Sequence, residues 1–181
     1  MMEISDWMLK NIREEHNKIA LDSDWLEIER FTLVSLLSRM ISHVLNGGTL
    51  LVCTEDRLEW FEKFVIQNIN RPITARPLVP IFGVSEILPK IQSQDPALVL
   101  DMLSLSYKDF AFWYIGRAQG DVAKLALSKD DSFLWLLDDS MQKALNLSTK
   151  EKIKIEYKLI QLYKIFEEAL FGAMFGNIIL E

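Results

Sequence analysis

The uncharged run Phe110–Ile115 constrains the fold more than any other stretch of the sequence. Such a run predicts a strand buried on both faces, because only a strand covered by helices on each side can lose every polar position. Gly116 and Gly120 then bracket a turn, Val122–Leu127 is predicted to be a short helix, and Phe133–Leu137 is a second uncharged strand. Strand, helix and strand in this order form a right-handed βαβ unit, which requires a parallel sheet.

Further strands and helices are predicted on both sides of this unit. The other strands are Thr49–Thr54, Leu78–Phe82 and Ala97–Leu100, and Pro80 places the second of them at the rim of the sheet. The predicted helices are Ile4–Ile12, a longer helix that Ser23 or Asp24 caps and that runs to about Leu45 (with Ile28 and Phe31 among its apolar positions), Arg57–Ile69, Val84–Ile91, Met102–Tyr107 and about Thr149–Phe175. Two leading helices followed by alternating strands and helices predict an α/β three-layer sandwich around a five-stranded parallel sheet, in the flavodoxin-like order.

Charge and composition exclude several functional classes. Twenty Lys and Arg residues against 26 Asp and Glu give a net charge of −6, the opposite of what a protein that grips nucleic acid normally carries. Lysines gather only between Lys150 and Lys158, where interspersed glutamates are typical of a solvated helix face. No uncharged stretch reaches the ~18 residues that a membrane span needs. The start, MMEISDW, lacks a signal-peptide pattern. We therefore expect a single cytoplasmic domain, 1–181, that binds neither DNA nor membrane.

The carboxyl ends of the predicted strands are where an open α/β fold binds ligands. Thr54-Glu55-Asp56 follows one strand, and two carboxylates there would repel a phosphate group. Gly83-Val84-Ser85-Glu86 follows the next strand and again carries an acid. Gly116 and Gly120 lack the spacing of the dinucleotide fingerprint G-x-G-x-x-G, and no Lys-Ser/Thr pair follows them as in a P-loop.

Some chemistry remains conceivable at these ends. Arg117 could hold an anion at a helix start, and Asp138-Asp139-Ser140 could hold a hard cation or act as acid and base, although we favour capping of the next segment. His16 and His43 fall on helices and form no ligand cluster. Cys53 lies inside a strand and is interpreted as a small buried hydrophobe rather than a nucleophile. The sequence therefore predicts no enzyme activity, no cofactor and no metal.

The last predicted helix is apolar on two sides. One stripe suffices for packing on a sheet and comprises Ile155, Leu159, Leu162, Phe166, Leu170 and Ala173. A second stripe comprises Ile153, Tyr157, Ile160, Phe171, Met174, Phe175 and Ile178. Either the leading helices or another copy of the chain must cover this second stripe. We favour an oligomer over a thick monomer core.

Five blocks of the sequence resemble the HobA family. They are WFEKFVIQNIN at 60–70, RPLVPIF at 76–82, DMLSLSYKDFAFWYIG at 101–116, KDDSFLWLLDD at 129–139 and YKLIQLYKIFEEALFGAMFG at 157–176. Together they cover nearly the whole chain, and none of them is a catalytic motif. Two leading helices, a five-stranded parallel sheet and a long final helix also look like the sugar-isomerase (SIS) domain.

The resemblance implies a function that the residues alone do not reveal. HobA proteins are bacterial regulators of chromosome replication that bind the N-terminal domain of the initiator DnaA. They have an SIS-like fold, assemble as tetramers and are related in structure to the DiaA initiator-binding proteins. The resemblance thus implies a non-enzymatic adaptor that promotes DnaA assembly at the chromosomal origin. The alternatives are a phosphosugar-binding isomerase or sensor of the SIS type, and a purely structural oligomer.

Sequence chemistry suggests where such an adaptor makes its contacts. We place the oligomer seam on the second stripe of the last helix and on the first helix, at Trp7, Met8, Tyr157, Ile160 and Phe171. We place the initiator surface near the end of the last helix, at Glu167, Leu170 and Phe175. The alternative is that all of these residues belong to the monomer core, and this alternative applies most readily to Leu170.

Overall fold

The computed structural model describes residues 2–18, 24–71, 76–87, 95–150 and 153–180. The chain divides into two compact units, one formed by Met1–Leu45 with Ser148–Glu181 and the other by Asn46–Leu147. We call them the terminal unit and the central unit. The single domain 1–181 therefore stays a prediction.

The elements alternate between strands and helices through most of the chain. In order they are β1 (Met2–Glu3), α1 (Ile4–Lys18), α2 (Asp24–Leu45), β2 (Thr49–Thr54), a 3₁₀ turn (Asp56–Leu58), α3 (Glu59–Ile69), β3 (Ile81–Gly83), α4 (Val84–Ile87), α5 (Pro96–Ser106), β4 (Phe110–Gly116), α6 (Asp121–Leu127), β5 (Phe133–Leu137), β6 (Leu145–Leu147), α7 (Ile155–Met174) and β7 (Ile178–Ile179).

A five-stranded sheet forms the middle of the central unit. Its strands lie in the order β3-β2-β4-β5-β6, and every neighbouring pair is parallel. Numbered along the chain, this is 2-1-3-4-5, so the predicted flavodoxin-like order is confirmed. The strand that contains Ile81 lies at the edge, as Pro80 predicts.

Helices cover this sheet on both faces within the central unit. On one face, the Phe61 ring of α3 lies 6.2 Å from Trp135, which in turn lies 4.9 Å from Trp113. On the other face, one apolar cluster joins strand residues with Val99 and other residues of α4, α5 and α6. Covering on both faces explains why β4 has no polar position and why Trp113 and Trp135 are buried.

One predicted strand is a helix in the structure, and one strand of the sheet was not predicted. Ala97–Leu100 is the first part of helix α5, which begins after an Asp95 side chain that accepts a hydrogen bond from the Ala97 N–H. An apolar run this short fits a buried helix segment as well as a strand. The fifth strand of the sheet is instead β6, which contains only Leu145–Leu147. The last residues of the predicted helix Val84–Ile91 lie outside the described residues.

The terminal unit joins both leading helices to the last one. The Trp25 Nε1–H of α2 donates to Gln161 Oε1 of α7 at 3.2 Å, and the buried Lys158 Nζ donates to the Ser148 carbonyl at 3.3 Å. Strands β1 and β7 form a short parallel pair that the sequence did not predict. Two apolar residues of α2 face solvent, because Ile28 and Phe31 are 78% and 76% exposed.

Candidate functional site

The carboxyl edge of the sheet lies entirely within the central unit. Glu55 follows β2, the segment from Arg117 follows β4, and Asp138 and Asp139 follow β5. In a phosphate-binding α/β protein, free backbone N–H groups at this edge face the ligand. The partners of those N–H groups therefore indicate what the edge can bind.

Two carboxylates of the chain accept hydrogen bonds from the loop after β4. Glu55 Oε2 lies 3.0 Å from the Arg117 N, and Asp139 Oδ2 lies 2.8 Å from the Ala118 N. A carboxylate that accepts from a backbone N–H forms a strong, charge-assisted bond. We call this arrangement the carboxylate-filled loop. Its two N–H groups are bonded to the protein itself and are not available to an external anion.

Close packing against Tyr114 and Gly116 also supports the carboxylate-filled loop. The Tyr114 hydroxyl donates to the Arg117 carbonyl at 2.6 Å. A Cβ atom at Gly116 would lie 2.6 Å from that hydroxyl and 2.9 Å from the Glu55 Cβ, so only glycine fits there. Burial raises the pKa of the Tyr114 phenol, and the nearby Cys53 and Glu55 raise it further. The phenol therefore stays protonated and keeps its donor role.

Arg117 and Asp138 interact with each other at the outer side of this edge. The guanidinium Nη2 lies 3.8 Å from Asp138 Oδ2. Together with the bond from Ala118 to Asp139, this contact engages both predicted strand-end acids within the protein. In the described part of the chain, no three His, Cys, Asp or Glu side chains are placed to hold a metal ion together.

A third carboxylate is buried beside the edge strand. Glu62 of α3 is only 3% exposed, and its Oε1 accepts from the Ser85 N at 2.9 Å and from the Ser85 hydroxyl at 2.5 Å. A Cβ atom at Gly83 would lie 2.6 Å from that oxygen, so glycine leaves the room that the carboxylate fills. Burial raises the pKa of Glu62, although the Ser85 hydrogen bonds counteract this in part.

The Cys53 thiol, which senses the charge of Glu62, has low reactivity. Burial raises the pKa of Cys53 well above its ordinary value, and the Glu62 charge adds to the effect. A thiol that holds its proton is a poor nucleophile and a poor metal ligand. The interpretation of Cys53 as a small buried hydrophobe agrees with this placement.

The residues predicted for the initiator surface separate into exposed and buried ones. Phe175 is 57% exposed, and Glu167 is partly buried with its Oε1 accepting from the Tyr163 hydroxyl at 3.2 Å. Leu170 is fully buried and cannot contact a partner in this conformation, so for this residue the monomer-core alternative holds.

The residues predicted for the oligomer seam separate in the same way. Met8 is fully buried and Phe171 is 6% exposed, so both pack inside the chain. Tyr157 is 45% exposed, and Trp7 and Ile160 are partly exposed. Only these last three remain available to a second copy.

Sequence reasoning missed two exposed apolar surfaces. One is formed by Ile28 and Phe31 on α2, and the other by Leu98, Met102 and Leu105 on α5. The signal that could have found them is the one applied to the last helix, namely apolar residues on two sides of one helix. In α5 that signal is hidden because the first part of the helix, Ala97–Leu100, is predicted to be a strand.

Comparison with known proteins assigns the chain to a family. A family model described as HobA, DNA replication regulator, matches residues 1–180. The chain belongs to the HobA family. The DNA replication regulator protein HobA of Helicobacter pylori is 35% identical to this HobA-family chain over 184 residues, which cover 99% of the chain and 100% of the relative.

Two solved structures of HobA are similar to this HobA-family chain. The crystal structure of a HobA–DnaA (domain I-II) complex from Helicobacter pylori matches with a TM-score of 0.78 and 34% identity, over 99% of this chain and 100% of that one. The crystal structure of HobA from the same organism matches with a TM-score of 0.76 and 32% identity, over 97% and 98%. None of the helices described here has the length and apolar character to cross a membrane.

Proposed function

We propose that the chain is a non-enzymatic adaptor that binds the N-terminal domain of the replication initiator DnaA and promotes its assembly at the chromosomal origin. The observation that carries this proposal is full-length similarity to a HobA whose structure was solved in complex with domain I-II of DnaA.

The carboxylate-filled loop supports an adaptor over a phosphosugar isomerase. A sugar phosphate would need the Arg117 and Ala118 N–H groups, and Glu55 and Asp139 already accept from both. An incoming phosphate would also meet the repulsion of these two carboxylates. The family's fold is thus used for positioning a partner rather than for chemistry.

The charge of the chain supports the same division of labour. A protein with a net charge of −6 gains little from contact with the DNA backbone, whereas DnaA is the partner that reads the origin. We therefore place the chain in the cytoplasm beside the chromosome, without direct contact to DNA.

We place the initiator surface around Glu167 and Phe175, at the end of α7. Phe175 offers an exposed aromatic ring and Glu167 a carboxylate that Tyr163 already orients. Aromatic side chains are enriched at the cores of protein–protein interfaces. The oligomer seam we place at Tyr157, Ile160 and Trp7, in a tetramer that presents each initiator site four times.

Calorimetric titration with the purified N-terminal domain of DnaA tests the function. We expect saturable binding by the wild-type chain and weaker binding by Phe175→Ala, with Phe31→Ala as a control that removes an equally exposed aromatic ring elsewhere. The absence of binding by the wild-type chain would overturn the adaptor proposal. A gel shift with origin DNA and no DnaA should give only weak, salt-sensitive binding.

A thermal-shift screen separates the adaptor from a sugar-phosphate protein. Hexose and pentose phosphates at millimolar concentration should leave the melting temperature unchanged, because a ligand stabilises only a protein that binds it. Consistent stabilisation by one sugar phosphate would favour the isomerase or sensor.

A further inference from the structure

The turn after helix α2 contains the only Asn-Gly pair of the sequence. Helix α2 ends at Leu45, and Asn46 and Gly47 form the turn that leads to strand β2. Each of the other asparagines is followed by Ile, Lys, Arg or Leu. Asparagine is one of the chemically labile residues of proteins, and the residue that follows it decides how closely the next backbone nitrogen can approach its amide. Glycine has no side chain to block that approach.

The structure leaves both residues of this pair open to such a reaction. Asn46 and Gly47 are exposed to solvent. Gly47 has a φ of 87°, in the left-handed region that glycine adopts without strain. Apart from its chain neighbours, no described heavy atom lies within 4 Å of the position that a Cβ atom would take at Gly47. The turn therefore has room for the change in backbone angles that brings the Gly47 nitrogen to the Asn46 amide.

Other asparagines of the chain differ because the protein holds their amides. The Asn68 amide donates to the Phe64 carbonyl at 2.7 Å, and the Asn70 amide donates to the Val79 carbonyl at 2.9 Å. In the described part of the chain, the Asn46 amide makes no hydrogen bond. Its side chain can therefore rotate towards the next backbone nitrogen without losing a partner.

We infer that Asn46 is a site of spontaneous deamidation. The Gly47 backbone nitrogen forms a bond to Asn46 Cγ, the bond from Cγ to the amide nitrogen breaks, and ammonia leaves with the proton of the Gly47 N–H. This step closes a succinimide ring. Water then opens the ring at either of its carbonyl groups, which leaves an aspartate or an isoaspartate at position 46. Water is the only co-reactant, and no group is oxidised or reduced.

Both products change the connection between α2 and β2. One added carboxylate takes the net charge of the chain from −6 to −7. This carboxylate lies directly after the carboxyl end of α2, where the helix macrodipole disfavours negative charge. The isoaspartate also lengthens the backbone by a methylene group. The reaction does not depend on DnaA, so its test can succeed or fail independently of the proposed function.

Peptide mapping by mass spectrometry tests the inference on the folded, full-length chain after incubation in warm, mildly alkaline buffer. The peptide with Asn46 should gain the mass difference between a hydroxyl and an amino group. Asn146 is the internal control, since it is also exposed but lies on strand β6 and is followed by Leu147. The Leu147 side chain and the extended backbone hinder ring closure, so Asn46 should react about tenfold faster or more.

The variant Asn46→Gln is the matched control for the intact protein. It keeps an amide at the same exposed position, but the longer side chain holds that amide less favourably for attack by the Gly47 nitrogen. In anion-exchange chromatography, wild type should develop a more acidic form with time. Asn46→Gln should develop this form far more slowly.

Three results would overturn the inference. One is a folded chain whose Asn46 stays intact while the guanidinium-unfolded chain loses this amide in the same time, because the turn would then keep the two groups apart. Another is an equal rate of reaction at Asn46 and Asn146. The third is an acidic form that appears equally fast in Asn46→Gln and wild type, because it would then arise at another position.

Discussion

Trp113 and Trp135 are the two largest fully buried side chains of the described residues, and they meet edge to face at 4.9 Å on one face of the sheet. Aromatic pairs of this geometry add to the free energy that burial alone supplies.

Replacing Trp113 by Ala should lower the free energy of unfolding by about 3–5 kcal/mol, because it leaves a large cavity and removes the ring contact. Urea unfolding followed by circular dichroism measures the change. Trp60→Ala on the partly exposed side of α3 is the control and should cost clearly less. A Trp113→Ala protein with a near-normal unfolding midpoint would contradict the packing described for β4.

Glu62 gives the central unit a pH response that can be predicted in sign. Its pKa is raised, first by burial, so the folded state keeps this proton to a higher pH than the unfolded chain does. Between those two pKa values the folded state binds more protons, and the free energy of unfolding therefore falls as pH rises. The window begins near the ordinary value of 4.5 and extends upward.

The variant Glu62→Gln should remove this fall, because the amide cannot ionise while its oxygen can still accept from the Ser85 N–H. Melting temperatures from pH 4 to pH 8 measure this fall in stability. Wild type should lose stability relative to the variant as pH rises. Glu59→Gln, on the exposed side of the same helix, is the control. If the melting temperatures of Glu62→Gln and wild type change with pH in the same way, this would contradict the raised pKa of Glu62.

At the scale of elements, the apolar composition of the start of α5 made this helix resemble a strand in the sequence. Ala97–Leu100 is apolar throughout and was interpreted as a strand, but Asp95 followed by Pro96 is a helix-start signal. The uncharged runs of β4 and β5 were predicted with nearly correct bounds, because their length leaves few alternatives. Strand β6 and the pair of β1 with β7 are two or three residues long and carry no periodic signal.

Asp95→Ala should destabilise the start of α5 by about 1 kcal/mol, because the carboxylate that accepts from the Ala97 N–H is lost. Asp95→Asn keeps an accepting oxygen and should be nearly neutral. Chemical unfolding of both variants separates the two cases. Equal stability of Asp95→Ala and wild type would mean that Pro96 and the buried face of the helix fix its start without the cap.

At the scale of the whole molecule, the order of the sheet followed from the alternation of elements, whereas the partners of the strand-end residues did not. Glu55 and the Arg117 N–H are 62 positions apart, and Asp139 and the Ala118 N–H are 21 apart. The sequence predicts that Glu55 repels a phosphate group and that Asp139 caps the next segment, and neither prediction includes the hydrogen bond that the acid accepts. Only the register of parallel strands brings them to one loop.

The proposed seam on α7 can be tested by its effect on the mass of the assembly. Ile160→Asp should give species of lower mass that each still bind one DnaA domain but no longer gather DnaA on origin DNA, since linked sites raise the local concentration of bound partners. Ile160→Leu keeps the surface apolar and should have the same mass as wild type. A tetrameric or unfolded Ile160→Asp protein would show that the α7 seam is placed wrongly.

The carboxylate-filled loop should slow the hydrogen exchange of two of its amides. Arg117 and Gln119 are exposed, and a surface loop of this kind would ordinarily exchange its amide hydrogens with deuterium within seconds. Because the amides of Arg117 and Ala118 are held by Glu55 and Asp139, they should exchange far more slowly than the amide of Gly120 in the same loop. Residue-resolved exchange in wild type and in Asp139→Ala measures this. Rapid exchange at Ala118 in wild type would mean that the carboxylate leaves the loop often enough for a ligand to take its place.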